Sequence, residues 1–124
     1  MPDPIRVILV DDQSLVRSGF RMLIESEDDM EVVAEASNGL EALDVLRRMP
    51  VDVALMDIRM PRMDGLAATR RLRERGTTAR IIVLTTFDTD EMVLTALQLG
   101  AAGFLLKDTP PADLVVAVQR VALG

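Results

Sequence analysis

Asp57 closes the apolar run Val53-Ala54-Leu55-Met56, and a loop holding Pro61 and Gly65 follows it. Asp favours turns, so a strand can simply end there. A carboxylate at the mouth of a sheet can also act as a nucleophile or bind a hard metal ion. Three more apolar runs end in useful polar groups. Asp11 and Asp12 follow Ile5–Val10, Thr85 ends Ile81–Thr85, and Lys107 follows Ala102–Leu106. Each has an ordinary reading when taken alone. The acidic pair can cap a helix, Thr85 can be a plain strand residue, and Lys107 can be a solvated strand end. Taken separately, these readings do not explain why so many runs end in such groups.

The composition narrows the chemistry. The 124 residues contain no Cys and no His, which excludes disulfides, thiolate zinc sites, Cys nucleophiles and imidazole catalysis. Any metal would be a hard ion held by oxygen. Net charge is −6, from 14 basic and 20 acidic residues, and a field of that sign repels nucleic-acid phosphates. No apolar run approaches the ~20 residues that span a bilayer. The N-terminal MPDPIRV lacks a basic region followed by an apolar stretch, so no signal peptide and a cytoplasmic location are expected. Hydrophobic residues make up 49% of the chain and aromatics only 2%, so the core must be aliphatic.

Five runs must position these groups: Ile5–Val10, Glu31–Ala36, Val53–Met56, Ile81–Thr85 and Ala102–Leu106. Four are unbroken and suit strands buried on both faces. The second carries Glu31 and Glu35, which marks a sheet edge. The segments between read as helices. Leu15, Val16, Phe20, Leu23 and Ile24 form an apolar stripe opposite Arg17, Ser18, Arg21 and Glu25. Asn38-Gly39-Leu40-Glu41 and Asp88-Thr89-Asp90-Glu91 resemble capping boxes. Gly100 suits a left-handed helix end, and Thr109-Pro110 suits a cap with proline in the first turn. Five alternations of strand and helix predict an α/β fold with a parallel sheet. With the second run at one edge, a doubly wound five-stranded order 2-1-3-4-5 follows.

In such a sheet, ligands bind beyond the carboxyl ends of the strands. Asp11, Asp12, Asp57, Thr85 and Lys107 then converge on one edge. Two like charges 4 Å apart repel by about 4 kcal/mol at an effective dielectric of 20. A divalent cation relieves this, and a few oxygen ligands with waters favour Mg²⁺. Asp57 is then placed to attack a phosphoryl group, with Lys107 and the metal neutralising its oxygens.

The acidic pair Asp11-Asp12, Asp57 within MDIRMPRMDG, Thr85 at the end of IIVLTT and Lys107 within GFLLKD together resemble a bacterial response-regulator receiver domain over the whole chain, residues 1–124. GFLLKD and TTFDTDE also resemble the NarL/FixJ-like subfamily. The resemblance implies the flavodoxin-like receiver fold and a phosphorylation-activated signalling switch rather than an enzyme. It implies that Asp57 accepts phosphate from the phosphohistidine of a sensor histidine kinase. Asp11 and Asp12 would hold Mg²⁺ with Asp57 and the backbone carbonyl of Arg59. Thr85 would move to the phosphoryl group, and Phe104 would turn inward as the switch aromatic, though core packing also accounts for it. Arg59 and Phe87 lie where receivers tune phosphoryl lifetime. Many receivers have a cis-proline after the lysine, where this chain has Asp108. A helix-turn-helix output domain is expected downstream, and DNA binding and transcriptional regulation would come only through it. The end of the chain at Val121-Ala122-Leu123-Gly124 reads as a domain boundary.

Three other readings compete. An Asp-nucleophile phosphatase of the haloacid dehalogenase type would have an acid two residues after its nucleophile, where Arg59 stands. A receiver-like interaction module without phosphate control would usually lose one of the key residues. A flavin module would cradle phosphate in its first loop, where Asp11-Asp12 would repel it. The last helix, Ala112–Leu123, has only Asp113, Gln119 and Arg120 as polar residues. Val116 and Leu123 are expected to stay exposed or to face a partner, which points to a homodimer on phosphorylation or to cover by a downstream linker.

Overall fold

Along the first strand, Val7 and Leu9 belong to one core layer while Ile8 and Val10 belong to another, and all four are at most 1% exposed. That alternation is the period of two of a strand buried on both faces. The computed structural model describes residues 3–86 and 90–124. The chain runs β1 (Ile5–Val10), α1 (Ser14–Glu25), β2 (Met30–Ala36), α2 (Gly39–Arg48), β3 (Val53–Asp57), α3 (Gly65–Glu74), β4 (Arg80–Thr85), α4 (Asp90–Gln98), β5 (Gly103–Leu106) and α5 (Pro111–Leu123). The sheet is parallel in the order β2-β1-β3-β4-β5, as the spacing predicts.

One layer packs Val7, Leu9, Val53, Leu55, Ile82 and Leu84 against Ile24 of α1 and Leu114, Val115 and Val118 of α5. The other packs Ile8, Val10, Ala54, Met56 and Ile81 against Ala42 and Leu43 of α2 and Ala68 and Leu72 of α3. Among the described residues no aromatic side chain is fully buried, in keeping with an aliphatic core. Glu31 and Glu35 lie exposed on the edge strand β2.

Several local expectations change. The last strand, read as buried on both faces, is the other edge of the sheet, and its four residues are half-buried. In α1, Leu15 is 84% exposed and lies outside the buried stripe, while Arg17 and Arg21 lean over β2 onto Glu35. At α2, Asn38 Oδ1 accepts from the Glu41 N–H at 3.0 Å, but the Glu41 carboxylate reaches back to Ser37 rather than Asn38. The Asn38 side of the box holds, and the reciprocal bond falls one residue early. The fifth helix begins at Pro111, not Pro110. A residue before proline is pushed out of the helical region, so Pro110 stays extended and Thr109 makes a turn to Leu106 instead of a cap. The capping box at 88–91 and Phe87 lie outside the described residues.

Gly100 ends α4 as expected. Its φ is +105°, and the Gly100 and Ala101 N–H groups donate to Leu97 and Ala96 carbonyls in a Schellman arrangement. At the opposite end of the sheet from the polar groups, Asp52 joins three strands. Its carboxylate takes the Arg6 backbone N–H at 2.8 Å and the Arg6 guanidinium at 3.3 Å, and its carbonyl takes the Arg80 N–H at 2.9 Å. Burial pushes the Asp52 carboxyl up, but the Arg6 bonds outweigh this and hold it below its ordinary value.

A depressed carboxyl pKa contributes stability above the unfolded-state value, and this is lost as pH falls through the folded value. Asp52→Asn is therefore expected to lower stability by about 0.5–1 kcal/mol at neutral pH, the range for a half-exposed pair. The difference shrinks on acidification below the ordinary carboxylate range. Urea unfolding of both proteins across that range checks it, and a pH-independent difference contradicts it.

Candidate functional site

The carboxyl ends of β1, β3, β4 and β5 bring the polar strand ends together. Asp57 is the last residue of β3, between β1 and β4, and is only 6% exposed. Asp11 follows β1 and is 2% exposed, with its N–H donating to the Ala36 carbonyl at 3.0 Å. Its Oδ1 accepts from the Gln13 N–H at 2.9 Å, which turns the chain into α1. Asp12 is exposed at the rim of the pocket. Thr85 is buried at the end of β4, and its carbonyl accepts the Lys107 N–H at 2.9 Å. Lys107 thus leaves β5 with its backbone tied to β4.

The Lys107 ammonium lies 2.8 Å from Asp11 Oδ2 and 3.2 Å from Asp57 Oδ2. The contact at Asp11 Oδ2 is one of charge; among the described residues no donor is aligned on that oxygen. Ligand oxygens of Asp11, Asp12 and Asp57 lie within 4.8 Å of one another. One ammonium against three carboxylates leaves a surplus of two negative charges. Burial pushes the Asp57 carboxyl up, Lys107 draws it down, Asp11 pushes it up again, and the net direction is upward. Burial pulls the Lys107 ammonium down, but Asp11 and Asp57 outweigh this and raise it, so it stays charged. This donor set fits a hard divalent cation: all oxygen, anionic, and with an oxygen free of aligned donors.

The loop from Ile58 to Gly65 shapes the floor. The Ile58 N–H donates to Leu84 and the Gly65 N–H to Ile58, at 3.0 and 2.8 Å. A Cβ on Gly65 would lie 2.2 Å from the Asp57 carbonyl oxygen. Only glycine lets α3 start that close to β3. Asp64 then caps α3 by accepting the Ala67 N–H at 2.8 Å. Arg62 holds φ at +67° within this loop, an uncommon conformation for a side chain other than glycine. The Arg59 N–H faces Asp57 Oδ1 at 3.4 Å, while its guanidinium swings out to Met92.

A cavity of about 260 Å³ is lined by Asp12, Gln13, Asp57, Arg59, Thr85, Thr86 and Lys107. A broader groove of about 540 Å³ adjoins it and shares Asp12 and Arg59, but Asp57, Thr85 and Lys107 lie outside its lining. The smaller cavity holds the reactive groups. Phe104 is not among its lining residues; it is half-buried against the cluster of Ile58, Val83 and Ala96. At Asp108 the peptide bonds are trans, and the Thr109 N–H closes a turn onto the Leu106 carbonyl at 3.0 Å. Gly65 and Arg17, whose guanidinium donates to the Asp11 carbonyl, carry part of this geometry unforeseen. The signal for Gly65 was its place straight after a capping Asp; none marked Arg17.

Fold and site together define a doubly wound α/β domain with an acidic, lysine-bridged pocket at the strand ends. The chain belongs to the response regulator receiver domain family, whose model matches residues 7–119. It is 43% identical over 122 residues to the uncharacterized transcriptional regulatory protein YxjL of Bacillus subtilis, covering 98% of this chain and 56% of that protein. It is 39% identical over 122 residues to the nitrate/nitrite response regulator protein NarL of Escherichia coli K12, with the same coverage. The signal receiver domain of the putative response regulator NarL from Mycobacterium tuberculosis superposes with a TM-score of 0.96 at 38% identity, covering 99% of each chain. The chain spans about half the length of the curated relatives it matches. Among the described residues, no helix is long and apolar enough to cross a membrane.

Gly65→Ala is expected to lower stability by about 1–3 kcal/mol, the range for forcing a methyl into a packed site. Urea unfolding measures it, and an unchanged midpoint means that the loop yields freely.

Proposed function

We propose that this domain is a phosphorylation-driven switch in which Asp57 receives a phosphoryl group from the phosphohistidine of a sensor histidine kinase. The observation that carries this is the Asp57 carboxylate, buried yet open to a cavity, with an ammonium at 3.2 Å and two further carboxylates beside it. An Asp57 oxygen attacks phosphorus, the P–N bond of the donor breaks, and the leaving imidazole takes up a proton. The Lys107 ammonium faces the developing charge, and the Thr85 hydroxyl side of β4 closes the cavity. The absence of His from this chain suits an acceptor whose donor residue lies on another protein.

Asp11, Asp12, Asp57 and the backbone carbonyl of Arg59 are the proposed holders of Mg²⁺, which when bound supplies positive charge to the phosphoryl oxygens. Arg59 where a phosphatase would have its acid argues for a switch over hydrolytic turnover. Thr85 and Phe104 are the proposed switch pair. Phe104 packs on the cluster that includes Val83 of β4 and Ala96 of α4, so a change at Thr85 biases strands β4 and β5 and the helix between them. A helix-turn-helix output domain beyond this chain is the proposed reader, binding DNA that this acidic domain repels.

Incubation with acetyl phosphate and Mg²⁺ is expected to add one phosphoryl group, read by intact-mass spectrometry. Asp57→Asn abolishes it, because an amide is no nucleophile, and Asp12→Ala abolishes metal binding and labelling together. Full labelling of the Asn variant sinks the assignment.

Leu15 and Met22 on α1 are 84% and 76% exposed, and Val116 and Leu123 on α5 are 42% and 89% exposed. Each pair is separated by two helical turns and shares a face. These neighbouring helices form the proposed surface for a homodimer that phosphorylation favours. Sedimentation is expected to show a larger species on adding beryllofluoride, a phosphoryl mimic. An unchanged monomer at high concentration favours cover by a downstream linker.

A further inference from the structure

Arg17 sits one helical turn into α1, yet its side chain turns back to the acidic loop. Its Nη1 donates to the backbone carbonyl of Asp11. Its Nε donates to Glu35 Oε1 on β2 at 2.9 Å, and the other Glu35 oxygen takes Arg21 Nε at 2.8 Å. Glu35 is fixed in turn by its register opposite Leu9, two residues before Asp11. The guanidinium therefore spans from the edge strand to the peptide that joins Asp11 to Asp12. Its planar fork can hold both partners at once, which a single ammonium does less well.

We infer that Arg17 is a positioning residue for the acidic pair: it clamps the Asp11–Asp12 peptide so that both carboxylates face the cation site. This rests on the Mg²⁺ reading of the pocket. Asp12 gains most from the clamp, because it is exposed and, among the described residues, has no backbone bond to a strand like the one from Asp11 to Ala36.

Two effects of removing Arg17 have opposite signs. As a positive charge beside a cation site, its loss would tighten Mg²⁺ binding by relieving repulsion. As a clamp, its loss weakens binding, by about tenfold, the lower end of what removing an outer support of a metal ligand brings. Arg21 separates this from general stability. It shares Glu35 and ties the same helix to the same strand, but its side-chain bonds run to Glu35 and Glu25 rather than to the acidic loop.

Mg²⁺ titration of the whole chain, followed by the NMR amide signals of Asp12 and Gln13, tests the inference. Arg17→Ala is expected to raise the dissociation constant about tenfold, and Arg21→Ala to leave it near the wild-type value. Arg17→Lys, which keeps the charge and folds more safely, is expected to weaken binding as well. Unchanged or tighter binding in Arg17→Ala or Arg17→Lys, or equal weakening in Arg21→Ala, overturns the clamp. Failure of the wild-type chain itself to bind Mg²⁺ would instead overturn the metal reading.

Discussion

The ammonium of Lys107, 2.8 Å from Asp11 and 3.2 Å from Asp57, is the contact on which the site depends. An isolated carboxylate as buried as Asp57 would give up its charge. Three carboxylates so close would also drive one another apart. One cation from the far side of the sheet opposes both tendencies. Lys107 follows the edge strand β5, passes β4 and reaches Asp57 at the end of β3 and Asp11 just after β1. The same ammonium therefore joins the ends of β5, β3 and β1, and it draws the Asp57 carboxyl down against the upward push of burial.

That charge balance needs a rigid frame, and two local features supply it. On one side, Arg17 and Arg21 of α1 grip Glu35 of β2, and Arg17 also holds the Asp11 carbonyl. An edge strand with charged residues, useful elsewhere for preventing sheet-to-sheet pairing, here anchors the acidic loop. On the other side, the loop after Asp57 folds tightly enough that only a hydrogen fits at Gly65, and Arg62 adopts a left-handed conformation. Such conformations cost free energy and persist where the surroundings over-determine them. The capping bond of Asp64 and the bond from Gly65 to Ile58 are those surroundings.

The aliphatic core has a consequence for the surface. With few aromatics, burial is shared among many aliphatic side chains in the two main layers. Leu15, Met22 and Leu123 are left outside. On α4, Leu94 and Leu97 are also exposed, while Ala96 carries the inward contact beside Phe104.

The strand runs, their order and the polar groups at their ends were legible in the sequence. Periodicity and burial on both faces leave few alternatives for a parallel sheet, and strand ends are local features. Glu31 and Glu35 identified the edge for the same reason. Other features were not local. Whether Leu15 turns inward depends on where α5 lies, and the half-burial of β5 depends on its having a single neighbour. The start of α5 turned on Pro110 being followed by Pro111, a backbone restriction that outweighed the capping pattern at Thr109. The clamp of Arg17 joins residues 11, 17 and 35, which no helical or strand period relates. The close approach of Gly65 to Asp57 likewise comes from the path of a loop. Sequence determined which groups reach the pocket, because strand ends carry them there; tertiary packing alone decided how they are held, because the holding contacts come from elements far apart in the chain.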